Sequence, residues 1–127
     1  NLTAMQNIAI FMDKPDEGEI IALAAKVGLT AGDLNKYPTE LSGGMAKRVA
    51  FLRLLLCGCD LALLDEPFVG LDRDLRDILV AMLVEKIERQ GMNVQNVITL
   101  PTPLSERDSA FEEAVVAREF QRIHYYE

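Results

Sequence analysis

The residues best placed to do chemistry begin in a run of small side chains, Leu41-Ser42-Gly43-Gly44-Met45. Serine is a favoured N-cap, and the two glycines leave the backbone amides that follow it uncovered by side chains. The amides at a helix N-terminus point outward and carry about half a positive charge, so such an end can seat a phosphate. An ordinary capped helix after a loop is the competing interpretation, and the S-G-G run alone does not separate the two.

A second candidate begins at Leu61, where four consecutive apolar residues lead into Asp65 and Glu66. An apolar run without alternation predicts a buried parallel strand, and open α/β sheets bind their ligands at the carboxyl ends of such strands. One carboxylate there can hold Mg²⁺ while its neighbour activates a water molecule for phosphoryl hydrolysis. The competing interpretation is a strand that ends in a polar turn, since Pro67 and Gly70 follow.

Taken together, the two motifs resemble those of the ATP-binding cassette (ABC) transporter ATPases. The resemblance covers residues 37–72, which contain LSGGM-A-K-R-V, then an apolar run with Asp-Glu-Pro, then Gly-Leu-Asp, in the order and spacing of that family. It implies that residues 42–45 form the signature motif, residues 61–66 the Walker B strand and residues 69–72 the D-loop.

The resemblance also implies a role for each matched residue. Asp65 is expected to hold Mg²⁺, and Glu66 is expected to be the catalytic base. ATP is expected to be bound by Ser42, Gly43, Gly44, Met45 and Asp72. Met45 stands where most members have glutamine, and the form LSGGM-x-K-R-V with DEPFVGLD is similar to the branch that powers lipid traffic across bacterial envelopes (Mla-like).

The phosphate-cradling loop of this family, G-x-x-x-x-G-K-[ST], does not occur in the 127 residues. In the family it lies upstream of the signature and is followed by a Gln-containing loop, and residues 2–7 resemble the L-T-x-x-x-N segment after that loop. The fold that the resemblance implies is α/β. It comprises an α-helical subdomain, residues 1–58, and the carboxyl half of a P-loop NTPase-type ABC core, residues 59–127.

The composition of the chain argues against some kinds of binding partner. The net charge of −7 and the pI near 4.7 argue against a nucleic-acid or anionic-membrane surface. The apolar runs are shorter than the ~20 residues that a bilayer span needs, and no signal peptide is evident, so a cytoplasmic location is expected. Cys57 and Cys59 are separated by one residue, and we expect them to be reduced, buried thiols.

Periodicity supplies the elements that position these motifs. It predicts four helices, over residues 2–12, 19–27, 44–56 and 73–90. Apolar runs predict strands over residues 61–64 and 93–99, and residues 30–38 are predicted to be a loop. The tail is predicted to hold a short helix over residues 105–113 and a hairpin of residues 114–117 and 121–125. On the signature helix, the predicted buried stripe consists of Met45, Val49, Leu52 and Leu56, widened by Ala46, Ala50 and Leu54.

The resemblance predicts an ATP-binding subunit that couples ATP binding and hydrolysis to transport. Its partners would be a second nucleotide-binding subunit, in a head-to-tail dimer, and membrane permease subunits at the inner membrane. The 127 residues alone are predicted to be inactive. Leu100 stands at the position expected for the family's switch His, which contacts the γ-phosphate, so either this member is degenerate or the segment departs from the family's path. The alternative is therefore a degenerate, non-catalytic subunit that lends its signature motif to an active partner.

Overall fold

The computed structural model describes residues 1–59, 61–65, 68, 70–90, 93–99 and 123–126. The chain divides into two compact units, residues 1–58 and residues 59–127, and each is described by itself. Within the described residues, no helix is both long and apolar enough to cross a bilayer.

The first unit is helical. Its elements are α1 (Ala4–Ala9), α2 (Glu17–Lys26), α3 (Ala31–Leu34), a 3-10 helix (Pro38–Glu40) and α4 (Gly43–Leu56). Helix α4 packs against α1 and α2, and α3 packs against the same two helices. These contacts enclose a core in which the fully buried large side chains are Ile8, Ile20, Leu34 and Leu52.

Side-chain caps explain why these helices begin where they do. The Thr3 hydroxyl accepts from the amide of Gln6, whose own side chain accepts from the amide of Thr3, so α1 starts after Thr3. A second capping box, between Thr30 and Asp33, starts α3 inside the stretch that was predicted to be a loop. Helices α2 and α4 start after the N-caps Asp16 and Ser42.

The buried face of α4 differs from the predicted stripe. Its buried side chains are Val49, Phe51, Leu52 and Leu55, whereas Ala46 and Ala50 are exposed and Leu54 and Leu56 are partly exposed. Nearly every position after Lys47 is apolar, so periodicity alone could not choose between neighbouring faces. The observed rotation buries Phe51 and Leu55 in place of Met45 and Leu56.

The second unit contains β1 (Leu61–Asp65), α5 (Arg73–Gln90), β2 (Asn93–Thr99) and β3 (Ile123–Tyr126). The strands form a sheet in the order β1-β2-β3, with both pairs parallel. Parallel neighbours need a crossover, and α5 lies between β1 and β2 in the chain, which makes a β-α-β unit. The buried residues of α5 are Leu79, Leu83, Lys86 and Ile87.

The final strand, β3, overlaps the predicted tail strand over residues 121–125 and pairs with β2, a pairing that the sequence did not predict. Ile123 pairs with Asn96 and Tyr126 with Thr99, so β3 extends the parallel sheet. Strand direction is set by long-range pairing, which a local apolar pattern does not encode. The predicted helix over residues 105–113 and the strand over residues 114–117 lie outside the described residues.

The prediction of reduced cysteines was wrong, because Cys57 and Cys59 are both disulfide-bonded. Cys57 follows α4 in an extended conformation, with φ −71° and ψ 150°. In extended backbone, residues i and i+2 project to the same side, and here the residue between them is Gly58, which has no side chain. A spacing that looks too short for a bridge is therefore sufficient.

Candidate functional site

The signature residues form the exposed first turn of α4. Ser42 is the N-cap in an extended conformation, with φ −66° and ψ 162°, and its Oγ accepts a hydrogen bond from the Met45 amide at 3.2 Å. The Ser42 carbonyl accepts from the Ala46 amide at 2.9 Å. Ser42, Gly43 and Gly44 are exposed, and Met45 is partly exposed. The turn is thus ordered by its own cap and open to an incoming group.

This geometry suits an anion. The first amides of a helix have no intrahelical acceptor, and here those of Gly43 and Gly44 precede the two amides that Ser42 satisfies. A hydroxyl that accepts one hydrogen bond can still donate its proton, so the Ser42 hydroxyl remains a donor to a phosphate oxygen. The positive end of the α4 helix dipole also attracts an anion.

The space in front of Gly43 is open. Apart from its chain neighbours and the backbone of α4, a Cβ placed at Gly43 meets no atom of the described residues within 4 Å, and the φ of Gly43 is not in the left-handed region. Neither the backbone conformation nor packing against the described residues therefore requires glycine at this position. A glycine there leaves the bare backbone accessible to the close approach of an external group.

Asp65 is the last residue of β1, at the carboxyl end of the strand, and its backbone pairs with Val97 of β2. Ala62 and Leu64, which lie on one face of the same strand, are buried. Glu66 and Leu100, the predicted base and the residue in place of the switch His, lie outside the described residues.

Asp72 stabilises the start of α5 as its N-terminal cap. Its Oδ1 accepts from the Leu75 amide at 2.9 Å, and its carbonyl accepts from the Arg76 amide at 3.0 Å, so it caps the start of α5. It is exposed and follows Gly70, which has a left-handed φ of 79°. The resemblance implied only nucleotide binding for Asp72, although an aspartate just before a helical pattern is also the usual signal of a helix cap.

The metal that the resemblance implies requires few protein ligands. Mg²⁺ is commonly held by one or two carboxylates together with waters and phosphate oxygens of the substrate. A single carboxylate at the end of β1, Asp65, fits the part that the protein would supply. In the described part of the chain, no group of three or more His, Cys, Asp or Glu side chains forms a metal site of the all-protein kind.

Two arginines of α4 make contacts that join it to other parts of the first unit. The Arg48 guanidinium donates to the carbonyls of Gly44 at 3.1 Å and Val27 at 3.0 Å, so this arginine caps carbonyls. The Arg53 guanidinium lies over the Phe11 ring, 4.5 Å from its centroid. No local pattern relates Phe11 to Arg53, because they meet only when α1 and α4 pack together.

A sequence model described as ABC transporter matches residues 1–69, which is more than half of the 127 residues. The matched range includes the signature turn, β1 and Glu66. The chain belongs to the ABC transporter family of ATP-binding domains.

Relatives with known names support this assignment. The chain is 39% identical over 99 residues to the glucose import ATP-binding protein GlcV of Saccharolobus solfataricus, covering 74% of this chain and 28% of GlcV. It is 36% identical over 112 residues to the thiamine import ATP-binding protein ThiQ of Haemophilus influenzae, covering 82% of this chain and 51% of ThiQ. The chain thus spans between a quarter and about half of these relatives.

A solved structure supports the fold. A protein from Pyrococcus furiosus described as an ABC transporter (ATP-binding protein) superposes with a TM-score of 0.62. The alignment covers 83% of this chain and 52% of that chain at 24% sequence identity, a level that speaks for the fold alone. The predicted α/β class is thereby confirmed.

Proposed function

We propose that this chain is part of the ATP-binding subunit of an ABC transporter, and that its signature turn closes on ATP held by a second nucleotide-binding subunit. The observation that carries the proposal is the exposed, Ser42-capped first turn of α4, with open space in front of Gly43. Free amides, a hydroxyl donor and the positive end of the helix dipole together form a seat for a phosphate group.

Hydrolysis is assigned to the acidic end of β1. Asp65 is proposed to hold Mg²⁺, which, when bound, neutralises charge on the transferring phosphoryl group. Glu66 is proposed to accept a proton from the attacking water molecule and to keep that water in line. Asp72, which caps α5, is proposed to lie at the nucleotide interface through the D-loop.

The proposal is tested on the full-length subunit assembled with its permease. Glu66→Gln removes the proposed base, and we expect ATP hydrolysis to fall by about a hundredfold or more while ATP binding persists. The 127-residue chain alone has no G-x-x-x-x-G-K-[ST], so we expect it to bind ATP poorly and to turn it over negligibly. A hydrolysis rate in that chain that disappears with Glu66→Gln would contradict the second expectation.

A second candidate function is favoured by one residue. Leu100 cannot donate a hydrogen bond to a phosphate oxygen, so the subunit could be non-catalytic and lend its signature turn to an active partner. The sequence upstream separates the two, since an intact G-x-x-x-x-G-K-[ST] there favours a catalytic subunit. The corresponding measurement is whether Leu100→His raises the hydrolysis rate of the assembled transporter, which only the non-catalytic hypothesis predicts.

The permease partner is assigned to the end of α1. Ile10 is 64% exposed and Phe11 is 49% exposed, on a helical unit that in this family abuts the permease. We expect the subunit to lie at the cytoplasmic face of the inner membrane through this contact. Replacing Ile10 with Asp should lower co-purification with the permease and leave the melting temperature of the subunit unchanged, because the side chain is largely exposed.

One sequence feature favours a particular class of transported substrate. The LSGGM-x-K-R-V form with Met45 favours the lipid-traffic branch, whereas the relatives named above are associated with glucose and thiamine. We propose lipid as the substrate class. The test is stimulation of ATP hydrolysis in the reconstituted transporter by phospholipid, compared with thiamine and glucose at matched concentrations.

A further inference from the structure

The bonding of Arg48 connects the signature turn to a distant part of the first unit. Its Nε donates to the Gly44 carbonyl, one turn back on α4, at 3.1 Å. Its Nη1 donates to the carbonyl of Val27, 21 residues earlier in the chain, at 3.0 Å. A guanidinium is planar and presents its donors in a fixed fork, so the two bonds fix one carbonyl relative to the other.

The acceptor at Val27 is a helix end. Val27 is the C-cap of α2, where the last carbonyls lack intrahelical donors and the helix dipole is negative. Gly28 follows with φ +77°, a conformation that L-residues with a side chain rarely adopt, and a Cβ there would come within 3.3 Å of Arg48 Nη1. The chain reversal at Gly28 therefore both turns the Val27 carbonyl toward Arg48 and leaves room for the guanidinium.

The acceptor at Gly44 belongs to the proposed phosphate seat. No side chain of the described residues comes within 4 Å of a Cβ placed at Gly43, and Ser42, Gly43 and Gly44 are exposed, so packing among these residues does little to orient this turn. The nearest atom to a Cβ at Gly44 is Arg48 Nη2, at 4.0 Å. Arg48 thus holds the first turn of α4 through the Gly44 carbonyl, while Ser42, Gly43 and Gly44 stay exposed.

We propose that Arg48 is a positioning residue: it fixes the first turn of α4 against the end of α2, so that the amides of Gly43 and Gly44 are aimed at the nucleotide without Arg48 touching it. This inference rests on the proposed function. It assigns to Arg48 a role in the rate at which the closed, two-subunit site works, and none in the affinity of a subunit for its own ATP.

The test uses the full-length subunit assembled with its permease, comparing Arg48→Met, Arg48→Lys and wild type. We expect Arg48→Met to lower kcat by about ten- to hundredfold, because small misplacements of a stabilising group have effects of that size. Arg48→Lys, which keeps the charge but not the fork, should lose less. The Kd for MgATP, measured with the permease-bound subunits in the open state, should stay unchanged.

Two comparisons separate positioning from charge and from general stability. Lys47→Met removes the positive charge next to Arg48 on α4 and should leave kcat within about twofold, since solvent screens the charge of a partly exposed side chain. Gly28→Ala disturbs the hydrogen bond from Arg48 to the Val27 carbonyl. It should therefore lower kcat when Arg48 is present and have little further effect in the Arg48→Met background. Non-additivity of this kind is not produced by two independent losses of stability.

The outcomes that overturn the inference are distinct from failure of the proposed function. Equal losses of kcat in Lys47→Met and Arg48→Met would assign the effect to charge. Additive effects of Gly28→Ala and Arg48→Met, or a weakened Kd for MgATP with kcat intact, would also overturn it. If wild type shows no ATP hydrolysis that Glu66→Gln abolishes, the proposed function itself fails, and with it the basis of the inference.

Discussion

At the scale of single residues, Gly43 separates what the fold needs from what a ligand needs. It is the first residue of α4, its φ is not left-handed, and a Cβ there meets no side chain of the described residues within 4 Å. We expect Gly43→Ala to leave the free energy of unfolding unchanged or to raise it by about 0.4–1 kcal/mol, because alanine has less conformational entropy to lose. ATP hydrolysis by the assembled transporter should fall at least about tenfold, because the new methyl group occupies the approach of the phosphate.

The matched control for this prediction is Gly32→Ala in α3. A Cβ at Gly32 would lie at an ordinary contact distance of 3.6 Å from Thr30 Oγ1, and its φ is likewise not left-handed. This variant should also be at least as stable as wild type, with ATP hydrolysis unchanged. Chemical denaturation and steady-state kinetics measure both quantities. Full activity in Gly43→Ala would mean that no group approaches the turn from this side.

Asp33 is a residue whose ionisation contributes to the fold and not to the proposed site. The hydrogen bond from Lys36 Nζ, at 2.9 Å, is the largest cause of a pKa lowered from 3.8 to about 2, followed by the bonds from Thr30. Because the pKa is lower in the folded chain, the stabilisation is complete above 3.8, the unfolded value, and is lost as the pH falls through about 2.

We therefore expect the difference in melting temperature between wild type and Asp33→Asn to be constant above about pH 4 and to vanish near pH 2. The carboxyl pKa is read directly by NMR titration, and Lys36→Gln should raise it, since it removes the largest cause of the shift. A carboxyl pKa near the ordinary value of 3.8 in wild type would contradict the prediction.

At the scale of elements, Arg53 and Phe11 link the end of α4 to the chain just after α1. The guanidinium lies 4.5 Å from the ring centroid, and Phe11 is 49% exposed. Cation–π pairs at exposed sites contribute about 0.5–1 kcal/mol. A double-mutant cycle of Phe11→Leu and Arg53→Met in the denaturation of the first unit should give a coupling of that size. Additive effects would show that the stacked pair contributes nothing.

Elements with long, regular patterns were the ones that the sequence could predict. Periodicity and flanking signals gave α5 as Arg73–Gln90 and β2 as Asn93–Thr99, with the bounds that the structure has. The start of α4 was placed within one residue because Ser42 is a strong cap. Helix α3 was missed because its four residues are too few for periodicity and depend on a capping box. The parallel pairing of β3 was missed because it joins residues far apart in the chain.

The site shows the same division between local and long-range information. Motif spacing was enough to select Ser42, Gly43 and Gly44, and the structure places all three in one exposed turn. The bridge from Arg48 to Val27 could not be predicted, since it depends on how α4 lies against the end of α2. A motif therefore specifies the groups that could touch a ligand, whereas the groups that orient them come from tertiary packing.

At the scale of the whole chain, residues 1–58 form a compact unit whose helices pack on one another. Ile8, Ile20, Leu34 and Leu52, which come from four different helices, are fully buried. We expect residues 1–58 to fold alone, with a free energy of unfolding of about 3–9 kcal/mol from the usual value per residue. A domain this small buries a modest share of its surface, so the lower half of that range is expected.

The measurement is thermal unfolding of residues 1–58, monitored by circular dichroism. The dispersion of NMR chemical shifts shows whether the side chains are packed in fixed positions. The control is Leu52→Ala. Leu52 is 0% exposed on α4, and truncating such a leucine costs about 2–5 kcal/mol, which is comparable to the whole expected stability. Wild type should melt in one cooperative transition, and Leu52→Ala should show none. If wild type lacks the transition as well, the helical core depends on residues beyond 58. The exposed turn at Ser42 would then be held in place by the complete chain and not by its own unit.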